Sequence, residues 1–199
     1  MAEHTLHDLL RKLKSPSTPY ETSLSLLSTA KLTLLKAHAL TPQPQTSPTL
    51  LTLARDVFET GALLSIRAED SHAFTRYVHQ LTPFYELPNE RFGGSGTGGQ
   101  GERNKIRGLY LLLLLTQGDY AGFHTELEGL ELRSGEGGKV EDDRYLGYSI
   151  RLERWLMEGS YDLVWKAMAS GTVPSEEYGV FSNVSFIFPF FSWGVFLFG

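Results

Sequence analysis

The sequence predicts an all-α fold built of stacked helical hairpins, and three observations carry that expectation. First, Gly108 to Leu130 reads as two helices folded back across a Gly118-Asp119 turn, glycine in the left-handed stop position and aspartate as N-cap of the next helix. Second, the same punctuation recurs at Gly159-Ser160 and, with Asp70 as the cap, within Gly61 to Leu81. Aligned on the caps, Phe74, Phe123 and Val164 each lie four residues after Asp70, Asp119 and Ser160. Third, caps recurring every ~40 to 50 residues, with a loop insertion in the first interval, have the period of solenoid helix pairs. An all-helical domain that merely caps its helices is the plainer alternative.

In order along the chain, Leu6, Leu9, Leu10 and Leu13 form one stripe on a short first helix, which ends in the Ser15 to Pro19 linker. Tyr20 to about Leu40 predicts an edge helix with Leu24, Leu27, Leu34 and Leu35 on its one buried side. Pro42, Pro44 and Pro48 make Thr41 to Pro48 a loop, and Pro48 after Ser47 is a favourable first helical residue for a long helix to about Arg67. The next limb carries Phe74, Val78 and Leu81, passes Pro83 and leaves the helix between Phe84 and Pro88. Ile106 to Gln117 holds five consecutive leucines, Leu111 to Leu115, so it is apolar on every side and needs neighbours on more than one face. Its partner limb sets Tyr120, Phe123, Leu127 and Leu130 on a single stripe. Arg133 to Asp143 is glycine-rich and charged, and is predicted to be a solvated loop. The last pair, Ile150 to Met168, carries Tyr161, Val164, Trp165 and Met168 on its second stripe. The expected organisation is N-terminal helices and a Pro-rich linker over 1–47, a helical-repeat part over 48–184 and an apolar tail over 185–199.

Eighteen basic and 23 acidic residues give a net charge of −5, and no dense basic cluster is present, which argues against nucleic-acid binding. The absence of cysteine excludes disulfides, a thiol nucleophile and thiolate metal sites. Residues 1–14 have neither a secretory apolar core nor an acid-poor, arginine-rich transit pattern, so cytoplasm and nucleus are the expected compartments.

No constellation suited to chemistry emerges. The tract Gly93 to Gly101 contains a formal G-x-G-x-x-G at Gly94, Gly96 and Gly99, but it follows helix and proline loop rather than a strand. Lys105 is followed by Ile106, not by the Ser or Thr of a phosphate loop, so the tract reads as a flexible linker. His4, His7, His38, His72, His79 and His124 are scattered and offer no set of three or four metal ligands. Glu126, Glu128 and Glu131 read as a solvated face, and Tyr110, Tyr120, Tyr161, Trp155 and Trp165 as core. The expectation is therefore no catalytic, cofactor-binding or metal residue, no cofactor and no small-molecule substrate.

Three segments, Ala54 to Leu81, Gly108 to Leu130 and Leu152 to Met168, resemble the small PCI-domain subunit of the 26S proteasome lid, the family of non-ATPase regulatory subunit eight. The most specific pieces are Ser65-Ile66-Arg67-Ala68, Phe123-His124-Thr125-Glu126-Leu127-Glu128 and Leu156-Met157-Glu158-Gly159-Ser160-Tyr161, and the resemblance runs from Ala54 to Val184. These pieces favour the proteasome member over its relatives in the signalosome and in the translation initiation factor. The resemblance implies the N-terminal helical part of a PCI domain, a non-catalytic scaffold whose partners are other lid subunits. The family's helical repeats lead into a winged helix, and a C-terminal helix joins a bundle with neighbouring subunits. A free helical-repeat adaptor, or a non-functional truncated paralogue, is the alternative.

After Val184 the resemblance ends, and Ser185 to Gly199 replaces the winged-helix half with an apolar stretch. Val184-Ser185 is what common intron starts encode in frame, so this stretch is expected to be retained intron or a gene-structure error; transcripts that never remove it would overturn that. A membrane anchor is disfavoured, because some fifteen residues interrupted by Pro189 fall short of the roughly 20 a spanning helix needs. Seven large aromatics there, at about 150 to 250 Å² each, would expose roughly 1,000 Å² or more and invite aggregation.

Overall fold

The computed structural model describes residues 2–15, 19–93, 102–134, 140–169 and 173–181. The middle of the Ser15 to Pro19 linker, the glycine tract after Gly93 and the tail over 185–199 lie outside these residues. Among them stand nine α-helices, two short 3-10 turns and no strand, so the all-α expectation holds. The chain divides into two compact units, Met1–Arg103 and Asn104–Gly199.

In the first unit, α1 (Ala2–Leu13) buries Leu6, Leu9, Leu10 and Leu13 as predicted and packs on α2 (Tyr20–Lys36) and α3 (Pro48–Arg67). The stripe on α2 differs from the one expected. Ser23, Leu27, Ala30 and Leu34 are buried, whereas Leu24 and Leu35 are 43% and 54% exposed. The small residues Ser23 and Ala30 complete an i, i+4, i+7, i+11 row with the two leucines, and that row sets the face. The helix also stops at Lys36, short of Leu40, because His38 takes a left-handed φ of 53°. The amide of Ala39 then reaches the Leu34 carbonyl at 2.9 Å, closing the helix end.

Ser47 caps α3, its hydroxyl accepting the Leu50 amide, and Pro48 opens the helix as expected. Helix α3 turns directly into α4 (Ser71–Tyr85), and this hairpin holds the core of the unit: Phe58 lies 5.8 Å from Phe84 and 6.5 Å from Tyr77 between ring centroids. Gly61 lets the Tyr77 ring lie against the backbone of α3, where a Cβ would come within 2.5 Å of it.

In the second unit, α5 begins at Arg103, three residues before the predicted start, and runs to Gln117 with all five leucines buried. Helix α6 (Tyr120–Ser134) buries Phe123 and Leu130, with Tyr120 and Leu127 partly covered on the same stripe. The predicted solvated loop over Arg133 to Asp143 is shorter than expected at both ends. Helix α6 extends to Ser134, and a 3-10 turn, Val140–Asp142, buries Val140. Asp143 then receives the amides of Tyr145 and Leu146 and opens α7 (Leu146–Met157), which packs on α8 (Tyr161–Ala169) through Val164. The short α9 (Glu176–Val180) inserts Tyr178, wholly buried, between Tyr145 and Tyr148 at 5.9 and 5.7 Å. Its hydroxyl donates to the Lys105 carbonyl at 3.1 Å and lies 3.4 Å from that of Tyr145.

The three hairpins reverse by one device. Glu69, Gly118 and Gly159 have φ of 58°, 73° and 74°, and the next amide, of Asp70, Asp119 or Ser160, bonds the carbonyl five residues back at 2.8 to 3.0 Å. Phe74, Phe123 and Val164, aligned in the sequence, are all buried.

Gly108 has no room for a side chain, since a Cβ would meet the Tyr178 hydroxyl and the Tyr145 carbonyl. Gly108→Ala is expected to cost about 1 to 3 kcal/mol although alanine is the better helix former. Tyr178→Phe, which removes a buried hydroxyl, costs about 1 kcal/mol. Urea unfolding of the double variant should show less than the summed loss, because the clashing oxygen is gone; strict additivity would refute that clash.

Candidate functional site

The structure distributes the residues weighed for chemistry rather than gathering them. The exposed His4 pairs with the half-buried Asp8 at 3.2 Å, and the exposed His124 lies 3.5 Å from the mostly covered Glu153. His38 sits in the left-handed turn after α2, while His72 and His79 lie exposed on α4. Among the described residues no three His, Asp or Glu side chains form a set that could hold a metal ion.

Two expectations need correction. Glu126 is not a free member of a solvated face: it meets Arg107 at 2.6 Å, and Arg107 is almost wholly buried on α5, so the pair ties α5 to α6. Burying a guanidinium is costly without such a partner, which is why one carboxylate of the three is drawn inward. The aromatic set also splits. Tyr110 is buried and Tyr120 and Trp155 are partly covered, but Tyr161 and Trp165 are 50% and 40% exposed. These two stand one turn apart on α8, with Met157 also exposed before the turn, because Val164 alone of the predicted stripe packs inward.

A buried polar cluster missed in the sequence lies in the first unit. Arg55 and Glu59, one turn apart on the inward face of α3, are both nearly inaccessible, with the Arg55 Nε 3.7 Å from Glu59 Oε1. Tyr85 donates its hydroxyl to Glu59 Oε1 at 2.9 Å, and the Glu102 amide donates to Oε2 at 3.2 Å. Arg55 also bonds Asp56 at 3.0 Å, Asp56 meets Lys14 at 3.5 Å, and the Arg55 guanidinium lies over the Phe92 ring. Helix register could have revealed the pair, since 55 and 59 fall on the same face as Leu51, Phe58 and Ala62.

A carboxyl shifted by burial and bordering a cleft is a recognised sign of an active site. Glu59 meets that description: burial raises it to about 7 against the opposing pull of Arg55, the Glu102 amide and Tyr85, and it borders a cleft of about 380 Å³ with Thr60, Arg67 and Glu102. Each of its oxygens accepts from a donor of the chain itself, so the group ties α3, α4 and the residues before α5. In the second unit, Lys105 and Glu177 make a similar tie at 3.1 Å. Burial opposes ionisation of Glu177, yet its own amide, the Ser175 hydroxyl and Lys105 together hold it at about 2.

Comparison with known proteins supplies what the geometry alone does not. The chain is 33% identical over 169 residues to the 26S proteasome regulatory subunit RPN12 of Saccharomyces cerevisiae, covering 83% of this chain and 59% of that one. It is 37% identical over 168 residues to the 26S proteasome non-ATPase regulatory subunit 8 homolog A of Arabidopsis thaliana, covering 83% and 58%. The RPN12 subunit of Schizosaccharomyces pombe is 37% identical over 128 residues, 63% of this chain and 42% of that one. The chain is a homologue of these proteasome regulatory subunits. No protein-family model matches it. The homologue spans 58 to 59% of the length of the first two relatives.

In this regulatory-subunit homologue the buried carboxyl gives a measurable signature. The folded value of Glu59, about 7, lies above its ordinary 4.5, so between these the folded protein holds a proton that the unfolded chain releases. Its contribution to stability is full below 4.5 and is lost as pH rises through about 7. Glu177, held near 2, titrates only at more acid pH and does not act in this window. The urea midpoint is expected to fall between about pH 5 and about pH 8, and Glu59→Gln to reduce that fall. An equal fall in the variant would show that another group is responsible.

Proposed function

We propose that this chain is a non-catalytic scaffold subunit of the 26S proteasome regulatory particle, in its lid, supporting assembly of the complex that degrades ubiquitinated proteins. Residues 48–184 would be its helical-repeat module, part of a PCI domain, and other lid subunits its partners, in cytoplasm and nucleus. The observation that carries the reading is 33 to 37% identity to two named regulatory subunits across 83% of the chain. The chemistry of the described residues is in keeping with it. The perturbed carboxyls Glu59 and Glu177 are engaged by groups of the chain itself. Helix α8, by contrast, turns Tyr161 and Trp165 outward, as a surface that meets other proteins does. The reading needs no catalytic residue, cofactor or metal.

The test is affinity purification of the tagged chain from cells, with quantitative mass spectrometry of what accompanies it. Lid subunits at a fixed ratio to the bait through a salt wash are the expected result. Their absence, with other proteins present at fixed ratio, would replace this function with that of a free adaptor.

A further inference from the structure

The first unit holds a cavity of about 400 Å³ between α2, α3 and α4 that takes no part in the polar ties described above. Its floor is formed by Leu27, Leu64 and the Tyr77 ring where that ring lies against Gly61, while Ser28, Ser65 and Gln80 make the lining as a whole slightly more polar than apolar. Tyr20 and Leu24, each 43% exposed, carry the apolar lining outward along α2.

The edge of this cavity is basic. Lys31 stands 4.2 Å from the Tyr77 ring centroid, and Arg76 on α4 is exposed. Among the described residues neither cation has a carboxylate partner, and the Tyr77 hydroxyl makes no hydrogen bond. Asp70, the acid in the lining, is occupied in capping α4 through the Ala73 amide at 2.8 Å. In a chain of net charge −5, two cations against the single acid Asp70 make the rim of this recess locally positive. The volume lies at the small end of the roughly 300 to 1,000 Å³ typical of ligand pockets, room for a few side chains and not for a packed helix.

We propose that this groove binds a short acidic segment of a partner protein, which seats one leucine or aromatic side chain against Leu24 and Leu64 and sets flanking carboxylates against Lys31 and Arg76. The anchor supplies part of the affinity, and the two cations supply selection of sequence and rate of encounter. This inference stands apart from membership of the lid, because it rests on the groove alone.

The test uses the full chain and two short fluorescein-labelled peptides, a central Leu-Phe pair flanked by Glu and Asp, and the same pair flanked by Lys. Fluorescence anisotropy at low salt should show saturable binding of the acidic peptide only, with amide shifts on Ser28 and Gln80, which line the groove. Lys31→Glu with Arg76→Glu should weaken binding roughly tenfold or more. Arg76→Gln, on an exposed side chain that can change without unfolding the protein, should give a smaller loss. Equal binding of both peptides, no saturable binding, or indifference to the substitutions would overturn the proposal. A concentration-dependent dimer abolished by the charge reversal would assign the groove to a second copy, and would overturn it too.

Discussion

A helix that ends inside a fold leaves carbonyls without donors, and what the chain does with them decides where it goes next. Here the last carbonyls of α3, α5 and α7 are met by a left-handed residue and the amide after it, over bonds of 2.8 to 3.2 Å. That second residue is at once the end of one helix and the N-cap of the next, so no loop separates the limbs. Asp70 and Asp119 complete the junction by accepting the amides of Ala73 and Gly122 with their carboxylates. Because the left-handed residue, the cap and their bonds recur in the same order, the residue four positions after the cap is buried each time. Phe74, Phe123 and Val164 fill those places, and the core of each hairpin grows outward from them.

This constraint explains why so much of the fold is legible in the sequence. Gly118 and Gly159 mark two junctions, since glycine adopts positive φ without a Cβ clash, and the caps after them fix the start of α6 and α8. Glu69 and His38 were not legible as stops. A side chain in the left-handed region costs of order 1 kcal/mol or more, and only the surrounding bonds, Asp70 to Ser65 and Ala39 to Leu34, hold it there. The buried face of α2 departs from the sequence expectation for a different reason. Leu24 and Leu35 outweigh Ser23 and Ala30 in any hydrophobic count, yet it is the two small residues that are buried beside Leu27 and Leu34. In the polar sites the difficulty was pairing across elements. Arg107 lies 19 residues from Glu126 and Tyr85 lies 26 from Glu59, separations at which local pattern carries no information.

The buried charges show how a perturbed carboxyl can be structural. Desolvation lifts Glu59 toward neutrality while Arg55, 3.7 Å away, favours its ionised form, and the outcome near 7 reflects a close contest between the two. A catalytic acid needs the same shift, but it also needs an oxygen open to a substrate. In Glu59 one oxygen accepts from Tyr85 and the other from the Glu102 amide, bonds that join α3 to α4 and to the residues before α5. Glu177 reaches the opposite value because a smaller cost of burial is outweighed by its own amide, the Ser175 hydroxyl and Lys105 together.

The segments that carry the family resemblance coincide with these structural devices. Ser65 to Ala68 closes α3, with the Ser65 carbonyl receiving the Asp70 amide, and Leu156 to Tyr161 encloses the turn at Gly159. Phe123 to Glu128 contains both the core residue of α6 and the partner of buried Arg107. What makes the chain recognisable is thus what makes it fold, whereas a scaffold works through what it leaves uncovered. An exposed side chain such as Arg76 contributes little to stability, so folding leaves its identity to be selected by contact with a partner.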